Sequence, residues 1–423
     1  MTIIDKKSNR MLNKIFAIEN IEEKLTPKYH ESKPNLRLRH RVNIDNCNQR
    51  WSLTSASENS RNTLLSQDAL DNMEVYQDNI ENYIGTVKIP VGLAGPLRVN
   101  GAYAQGDYYV PLATTEAALV ASYSRGAQLI TAAGGCTTII TNEAINRTPG
   151  FIFNSVLEAS QFVTWIEGKQ DTIKNIAETT TRHGKLINVN SLIEACLVFM
   201  HFEYLTGNAA GQNMVTVATD AILTFIKENC PIKPQHQFLD SNRSSDKKVS
   251  LQSLMHVRGK KVIAEANLSD ALITKYLSTT SEKMMTYWDL AHVGSTLSGT
   301  VGANAQLSNA LAAIYLACGQ DVACVNESAV GFFYCAKRTN GLYVSVTLPN
   351  IITATVGGGT QLPSQKACLD ILGLQPGENS ARELAEIIAG ICLAGEISLC
   401  AAICADHFSE AHAALSRRKI KFK

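Results

Sequence analysis

The 423-residue chain carries almost no net charge, with 39 Lys and Arg against 38 Asp and Glu, a formal balance of +1. A chain this even has no field that would draw it onto nucleic acid or an anionic membrane. Any anionic ligand must be held by a local cluster. Its eleven scattered cysteines include no C-x-x-C pair. That excludes a zinc ribbon or thioredoxin-like site and points to buried, reduced thiols in a cytoplasmic protein. Neither G-x-G-x-x-G nor G-x-x-x-x-G-K-[ST] occurs, which removes the Rossmann fingerprint and the P-loop. Proline is scarce at 11 and glycine unremarkable at 27, so collagen and low-complexity disorder are excluded. The opening residues, MTIIDKKSNRMLNK, hold no apolar signal core and read against export.

What is present is a 45% apolar chain long enough for two or three domains. The run Ile387 to Ala405, IIAGICLAGEISLCAAICA, is long enough to span a bilayer. Glu396 at its centre, among Ala, Gly and Cys, fits a helix buried in a protein core better. Residues 1–74 are polar, with helical patches at Asn13 to Leu25 and Ser60 to Asn72, and read as an accessory region. From Val75, ENYIGTVKIPVGLAGPLRVNG suggests short strands and tight turns. Thr114-Thr115-Glu116 reads as the capped start of a helix over AALVASYSRGAQLITAA. Residues 149–239 mix helical and strand patterns, and from Lys247 onward the pattern reads as Ala-rich helices broken by glycine turns. The expectation is an α+β protein. Its larger, helix-rich domain spans 75–148 and 240–423, and a small α/β unit is inserted at 149–239.

Four polar clusters in apolar surroundings are candidates for chemistry. Glu116 either stabilises a helix start or acts as an acid. Lys247 and Lys248 are either solvated or, held near an acid in a cleft, able to stabilise an oxyanion. Asp321, wedged between Cys- and Ala-rich segments, is expected to be buried and to need a partner, for which a lysine is suited. His412 is either a surface residue or a proton donor near neutrality. His407 and His412 do not share a helical face, and no third ligand stands beside His407 and Glu410, so no metal site is expected.

Taken in order, ENYIGTVKIPVGLAGPL, PLATTEAALVAS, AAGQNM, SDKK, ACGQD, ATVGGGTQLPSQ and the histidine-bearing tail resemble the 3-hydroxy-3-methylglutaryl-CoA reductases, in the class found in eukaryotes and archaea. The eukaryotic membrane anchor has no counterpart, so no membrane partner is expected. The resemblance implies an NADPH-dependent four-electron reduction of the thioester to mevalonate and CoA, through a bound hemithioacetal and an aldehyde. In that scheme Lys247 steadies the oxyanion, and Glu116 protonates the carbonyl oxygen in the second reduction. Asp321 bridges the two, and His412 protonates the departing thiolate. The resemblance further implies a ferredoxin-like inserted NADP domain. In it Asn208, Gly211, Gln212, Asn213 and Met214 form the nucleotide segment, and Arg182 suits a 2′-phosphate. Ser122 and Arg125 fall on the CoA side; Arg147, Lys248 and Asn309 fall on substrate contacts. It also implies a homodimer with a shared active site and ENYIG at the contact.

Three positions depart from the family pattern. Asn208 stands for an Asp, Asp240 for a substrate-binding Ser, and Leu290 for a carboxylate-binding Lys. Two of four carboxylate contacts are therefore lost, which leaves a reductase of another acyl thioester as an alternative substrate reading. A non-catalytic dimeric homologue is a further alternative.

Overall fold

A computed structural model describes residues 12–31, 40–374 and 377–405. The chain divides into two units, Met1–Gly85 and Thr86–Lys423. In the first, short helices at Ile44–Trp51, Glu58–Leu64 and Gln67–Asp71 enclose a small core of Val42, Cys47, Trp51, Leu65, Met73 and Tyr83. The helix expected over Ser60 to Asn72 is two helices. The chain leaves helical geometry at Leu65 and Ser66 is extended, which breaks the ladder. The Trp51 indole N–H donates to the Ile84 carbonyl at 2.9 Å, closing the core over its one polar atom.

The second unit is built on a ten-stranded mixed sheet. The strands are β1 (Val91–Gly101), β2 (Gln105–Ala113), β3 (Cys136–Arg147), β4 (Gly150–Ile152), β5 (Lys185–Glu194), β6 (Leu197–Leu205), β7 (His236–Phe238), β8 (Gly259–Ser269), β9 (Phe332–Arg338) and β10 (Gly341–Ile351). The main path runs β7-β4-β6-β3-β8-β10-β9, with β5 beside β6 and β1 beside both β2 and β3. β3 joins two regions. Its residues Thr137 to Ala144 pair with β8, and Ile145 to Arg147 pair with β6. One strand thus carries the chain from the larger part of the sheet into the 149–239 segment. That segment runs β4, helices Val156–Glu167 and Gln170–Thr179, β5, β6, helix Gln212–Asn229, β7. Its strands are ordered β7-β4-β6-β5, every neighbour antiparallel.

The stretch after Lys247, expected to be helical, holds three strands as well. β8, β9 and β10 include the alternating YVSVTL and a two-residue turn at Thr339–Asn340, a pattern the Ala-rich flanks obscured. Its longer helices are Asp270–Leu277, Ser281–Ser298, Leu307–Ala317, Pro363–Ile371 and Ser380–Cys404, with single turns at Gln252–Met255 and Val325–Ser328. The last is long and apolar enough to cross a membrane, yet 83% of its apolar window is buried inside the protein. It packs on helices Leu119–Ala132 and Leu307–Ala317 and on β1, β3, β8 and β10. Helix approach there is so close that a Cβ at Gly126 would stand 2.0 Å from the Ala394 carbonyl oxygen.

Glu396 lies in the middle of this helix, 1% exposed, and accepts the Ala305 and Gln306 N–H groups at 2.7 Å each. Burial pushes its carboxyl up from 4.5 to about 7, more than those two bonds pull it down. The folded state therefore holds a proton that the unfolded chain releases above pH 4.5. This contribution is complete below that pH and fades as pH rises through 7, a swing of roughly 3 kcal/mol. Glu396→Gln should flatten this part of the profile, so urea denaturation should show wild type losing stability against the variant between about pH 5 and 8. Parallel profiles would refute the assignment.

Candidate active site

Three non-glycine residues within six positions hold left-handed backbone: Asn242 (φ 64°), Ser245 (φ 61°) and Lys247 (φ 57°). Each costs about 1–3 kcal/mol and persists only where the surroundings over-determine it. The surroundings here are ionic. The Asp246 carboxylate accepts from Arg258 Nη2 at 2.6 Å and lies 3.9 Å from Arg147 Nη1. Arg258, 1% exposed, also donates from Nη1 to the Asn146 carbonyl and Oδ1 at 3.0 Å, and its Nε stands 3.5 Å from Glu327. With Asp246 fixed, the next residue turns outward. Lys247 Nζ meets Asp321 Oδ2 at 2.8 Å, and the Lys247 carbonyl accepts from Asn326 Nδ2 at 3.3 Å. Lys248 folds back so that its ammonium donates to the Asp246 carbonyl at 2.9 Å.

Asp321 was expected in the interior, and the structure places it at the surface, its side chain 36% exposed. It caps the Val322–Cys324 turn, where Oδ1 accepts the Ala323 N–H at 3.1 Å. The neighbouring Cys318 and Cys324 are buried, but a cap residue stands outside the turn it starts, so the carboxylate faces Lys247. The hydrogen bond from Lys247 to Asp321 raises the ammonium above the ordinary lysine range, which secures its charge at neutral pH. Cys324 accepts from Gln212 Nε2 at 3.2 Å, and burial pushes its thiol far up, so it is no thiolate nucleophile.

Glu116 does not start a helix. The helix is Leu119–Ala132, entered through Ala118 in left-handed geometry, while the Thr114 hydroxyl accepts the Glu116 N–H at 3.0 Å in a tight turn. The hydroxyl closes a local turn, which competes with helix initiation. Glu116 is exposed, and within one chain it forms no hydrogen bond or ion pair with Lys247 or Asp321 among the described residues. His412 lies outside the described residues.

Arg147, at the end of β3, donates to Asp240 at 2.8 Å and to Thr216 Oγ1 at 2.9 Å. Asp240 therefore neutralises the guanidinium expected to hold a substrate carboxylate. Because the two residues bracket 149–239, their pair also ties that segment's entrance to its exit. Leu290 is 70% exposed on helix Ser281–Ser298. Ser122 and Arg125 both engage Ser398 on the buried helix, at 3.0 Å between hydroxyls and 2.7 Å from Arg125 Nη2 to the Ser398 carbonyl. Asn309 reaches Gln306 Oε1 at 3.5 Å.

In the nucleotide segment, Asn208 donates from Nδ2 to the Gly377 carbonyl and accepts the Ala381 N–H at Oδ1, 3.1 Å. It thereby caps the start of the Ser380–Cys404 helix. An aspartate could accept that N–H but would set an anion against the carbonyl, which accounts for the amide here. Gly211 (φ 79°) begins helix Gln212–Asn229 without any side-chain cap, leaving that helix's first N–H groups open. The turn holding exposed Arg182 packs against this end, since a methyl at Gly184 would stand 2.6 Å from Met214 Sδ. Gln212, Asn213 and Met214 form that helix's first turn.

Sequence reading missed Arg258 and Asn326. Neither sits in a motif, and only the unusual burial of an arginine marks the first.

The second unit is thus a mixed sheet and helix fold in which a strained loop presents an exposed lysine to a carboxylate. The profile of the hydroxymethylglutaryl-coenzyme A reductase family matches residues 46–417. The 3-hydroxy-3-methylglutaryl-coenzyme A reductase of Methanocaldococcus jannaschii is 42% identical over 356 residues, 82% of this chain and 87% of that protein. That of Aeropyrum pernix is 41% identical over 378 residues, 87% of this chain and 88% of the other. The fold matches the class II 3-hydroxy-3-methylglutaryl-CoA reductase of Streptococcus pneumoniae, whose structure is bound to NADPH, with a TM-score of 0.63 at 22% identity. The match spans 82% of this chain and 97% of that one. The chain belongs to the hydroxymethylglutaryl-coenzyme A reductase family.

Since Asp321 is the main cause of the raised Lys247 pKa, Asp321→Asn should let the amine titrate at lower pH. Labelling Lys247 with an amine-reactive reagent across a pH series, read by peptide mass spectrometry, should show faster modification in the variant. Equal rates at every pH would break the link.

Proposed function

We propose that the chain reduces (S)-3-hydroxy-3-methylglutaryl-CoA to mevalonate and CoA, with two NADPH and two protons consumed per turnover. The observation that carries this is the 2.8 Å Lys247–Asp321 pair on its strained, ion-anchored loop. A protonated amine there meets the need of a thioester carbonyl whose oxygen gains negative charge as its carbon is reduced. Asp321 holds the ammonium in place and keeps it charged. Glu116 is the proposed proton donor to the carbonyl oxygen in the second reduction, and His412 the donor to the departing CoA thiolate. Ser122 and Arg125 are assigned to the CoA side, and Lys248 and Asn309 to the acyl group.

Residues 149–239 are read as a ferredoxin-like NADP-binding domain within a larger domain of 75–148 and 240–423. The β7-β4-β6-β5 order supports this, as does a run that matches β-α-β-β-α-β with a second helix, Gln170–Thr179, added in the first crossover. The residues present fit a dinucleotide phosphate. The open N–H groups after Gly211 suit a phosphate, and exposed Arg182 on the adjoining turn suits a second. Asn213 and Met214 complete the proposed nucleotide surface. NADPH, when bound, supplies the two hydride equivalents. A homodimer is proposed because Glu116 is exposed and, among the described residues, makes no hydrogen bond or ion pair with Lys247 or Asp321, as expected if a second subunit completes the site.

One observation favours a second substrate reading. Asp240 already occupies Arg147, and Leu290 stands where the resemblance expects a carboxylate-binding lysine, which suits an acyl thioester with a neutral terminus.

Spectrophotometric assay with the hydroxymethylglutaryl thioester should show two NADPH oxidised per CoA released. Lys247→Ala should lose thioester reduction and keep NADPH binding by fluorescence titration; wild-type turnover in that variant would end the proposal. Asp240→Ser with Leu290→Lys should lower KM for the anionic thioester by about tenfold, equivalent to about 1.4 kcal/mol. A raised KM would mean that Asp240 helps to hold the substrate.

A further inference from the structure

Outside this site, three ligand-type side chains converge where the 149–239 segment meets the chain that follows it. His201 and Glu203 are two apart on β6, so the strand's alternation sets them on one face. His256 arrives from the other side, between the short helix Gln252–Met255 and β8. His201 Nε2 stands 3.2 Å from Glu203 Oε1, and His256 Nδ1 stands 3.9 Å from that same oxygen. All three ligand atoms lie within 4.8 Å of one another. Ligands at about 2.0–2.1 Å around a tetrahedral zinc lie roughly 3.3 Å apart, so the three need only small shifts to share one ion.

The outer contacts are also those of a metal site. His201, 2% exposed, is tied at Nδ1 to the Thr148 hydroxyl at 3.3 Å, which leaves Nε2 facing the cluster. Glu203 Oε2 accepts from Asn188 Nδ2 at 2.8 Å, which leaves Oε1 facing the same point. Hydrogen bonds of this kind orient ligands around bound metals. His256 is half-exposed, so an ion can enter and a water can complete its coordination. We propose that His201, Glu203 and His256 form a binding site for a divalent transition metal of the zinc type, with two imidazoles, one carboxylate and a water as ligands. The site is separate from the Lys247–Asp321 pair. It fastens the end of the 240–256 loop, which carries Asp246 and Lys247, to β6.

The test uses the full chain, stripped with a chelator and dialysed, then titrated with Zn2+ by calorimetry and with Co2+ by visible absorption. One ion should bind per chain. The cobalt form should show the d–d bands of a four-coordinate nitrogen and oxygen site, without the sulfur-to-cobalt charge transfer that any of the eleven thiols would give. His256→Ala, a half-exposed position expected to fold normally, should weaken zinc binding by about 100-fold, and Thr148→Val by about 10-fold. Zinc should raise the melting temperature of wild type and not of His256→Ala, and should slow hydrogen exchange in 247–256. No binding to wild type, undiminished binding to His256→Ala, or a thiolate charge-transfer band would each overturn the proposal.

Discussion

The loop that carries Lys247 is anchored by one interaction, the 2.6 Å contact of partly buried Asp246 with the buried guanidinium of Arg258. Arg258 has three of its bonds on either side of this loop, two to Asn146 on β3 and one to Asp246. Loss of Asp246 would cost less than the about 3–5 kcal/mol of a fully buried pair, since Glu327 stands 3.5 Å from Arg258 Nε and Asp246 is partly exposed. The three left-handed residues around Asp246 together cost about 3–9 kcal/mol, so the loop needs its other contacts as well as this pair. The strain and the ion pair belong together: the pair fixes Asp246, and the backbone that fixes it must turn Lys247 outward toward Asp321.

A second constraint is the shared strand. β3 passes from pairing with β8 to pairing with β6 between Ala144 and Ile145 and ends at Arg147, and the chain returns at Asp240. The Arg147–Asp240 bond closes that circuit at 2.8 Å, with Asp246 3.9 Å from the same guanidinium. Arg147 thus joins Thr216 and the Gln212 carbonyl of the inserted segment's helix to Asp240 and Asp246 of the chain that follows it. In the proposed scheme Asp240 would therefore bear on specificity, since its contact with Arg147 also closes the 149–239 segment.

Much of this was legible in the sequence because the chemistry is concentrated in short, ordered motifs. SDKK and ACGQD named the lysine and the aspartate that stand together, and the apolar run around Glu396 read correctly as a buried helix. The errors have local causes. Thr114 was read as a helix cap when its hydroxyl closes a turn two residues on, which sequence cannot distinguish. Asp321 was judged by its apolar neighbours, yet a cap residue points away from them. β8, β9 and β10 were lost among Ala-rich helices because a buried strand and a buried helix share composition. Arg258 and the capping role of Asn208 were invisible, since their partners at Asn146, Asp246, Gly377 and Ala381 are set by the fold alone.

Steady-state kinetics of Asp246→Asn test most directly the claim that the Asp246–Arg258 pair positions Lys247 for its proposed role. This change keeps the side chain's shape and removes its charge. The expected result is a fall of at least about tenfold in kcat, about 1.4 kcal/mol in the barrier, with little change in the KM for NADPH. An unchanged kcat in a folded variant would contradict it.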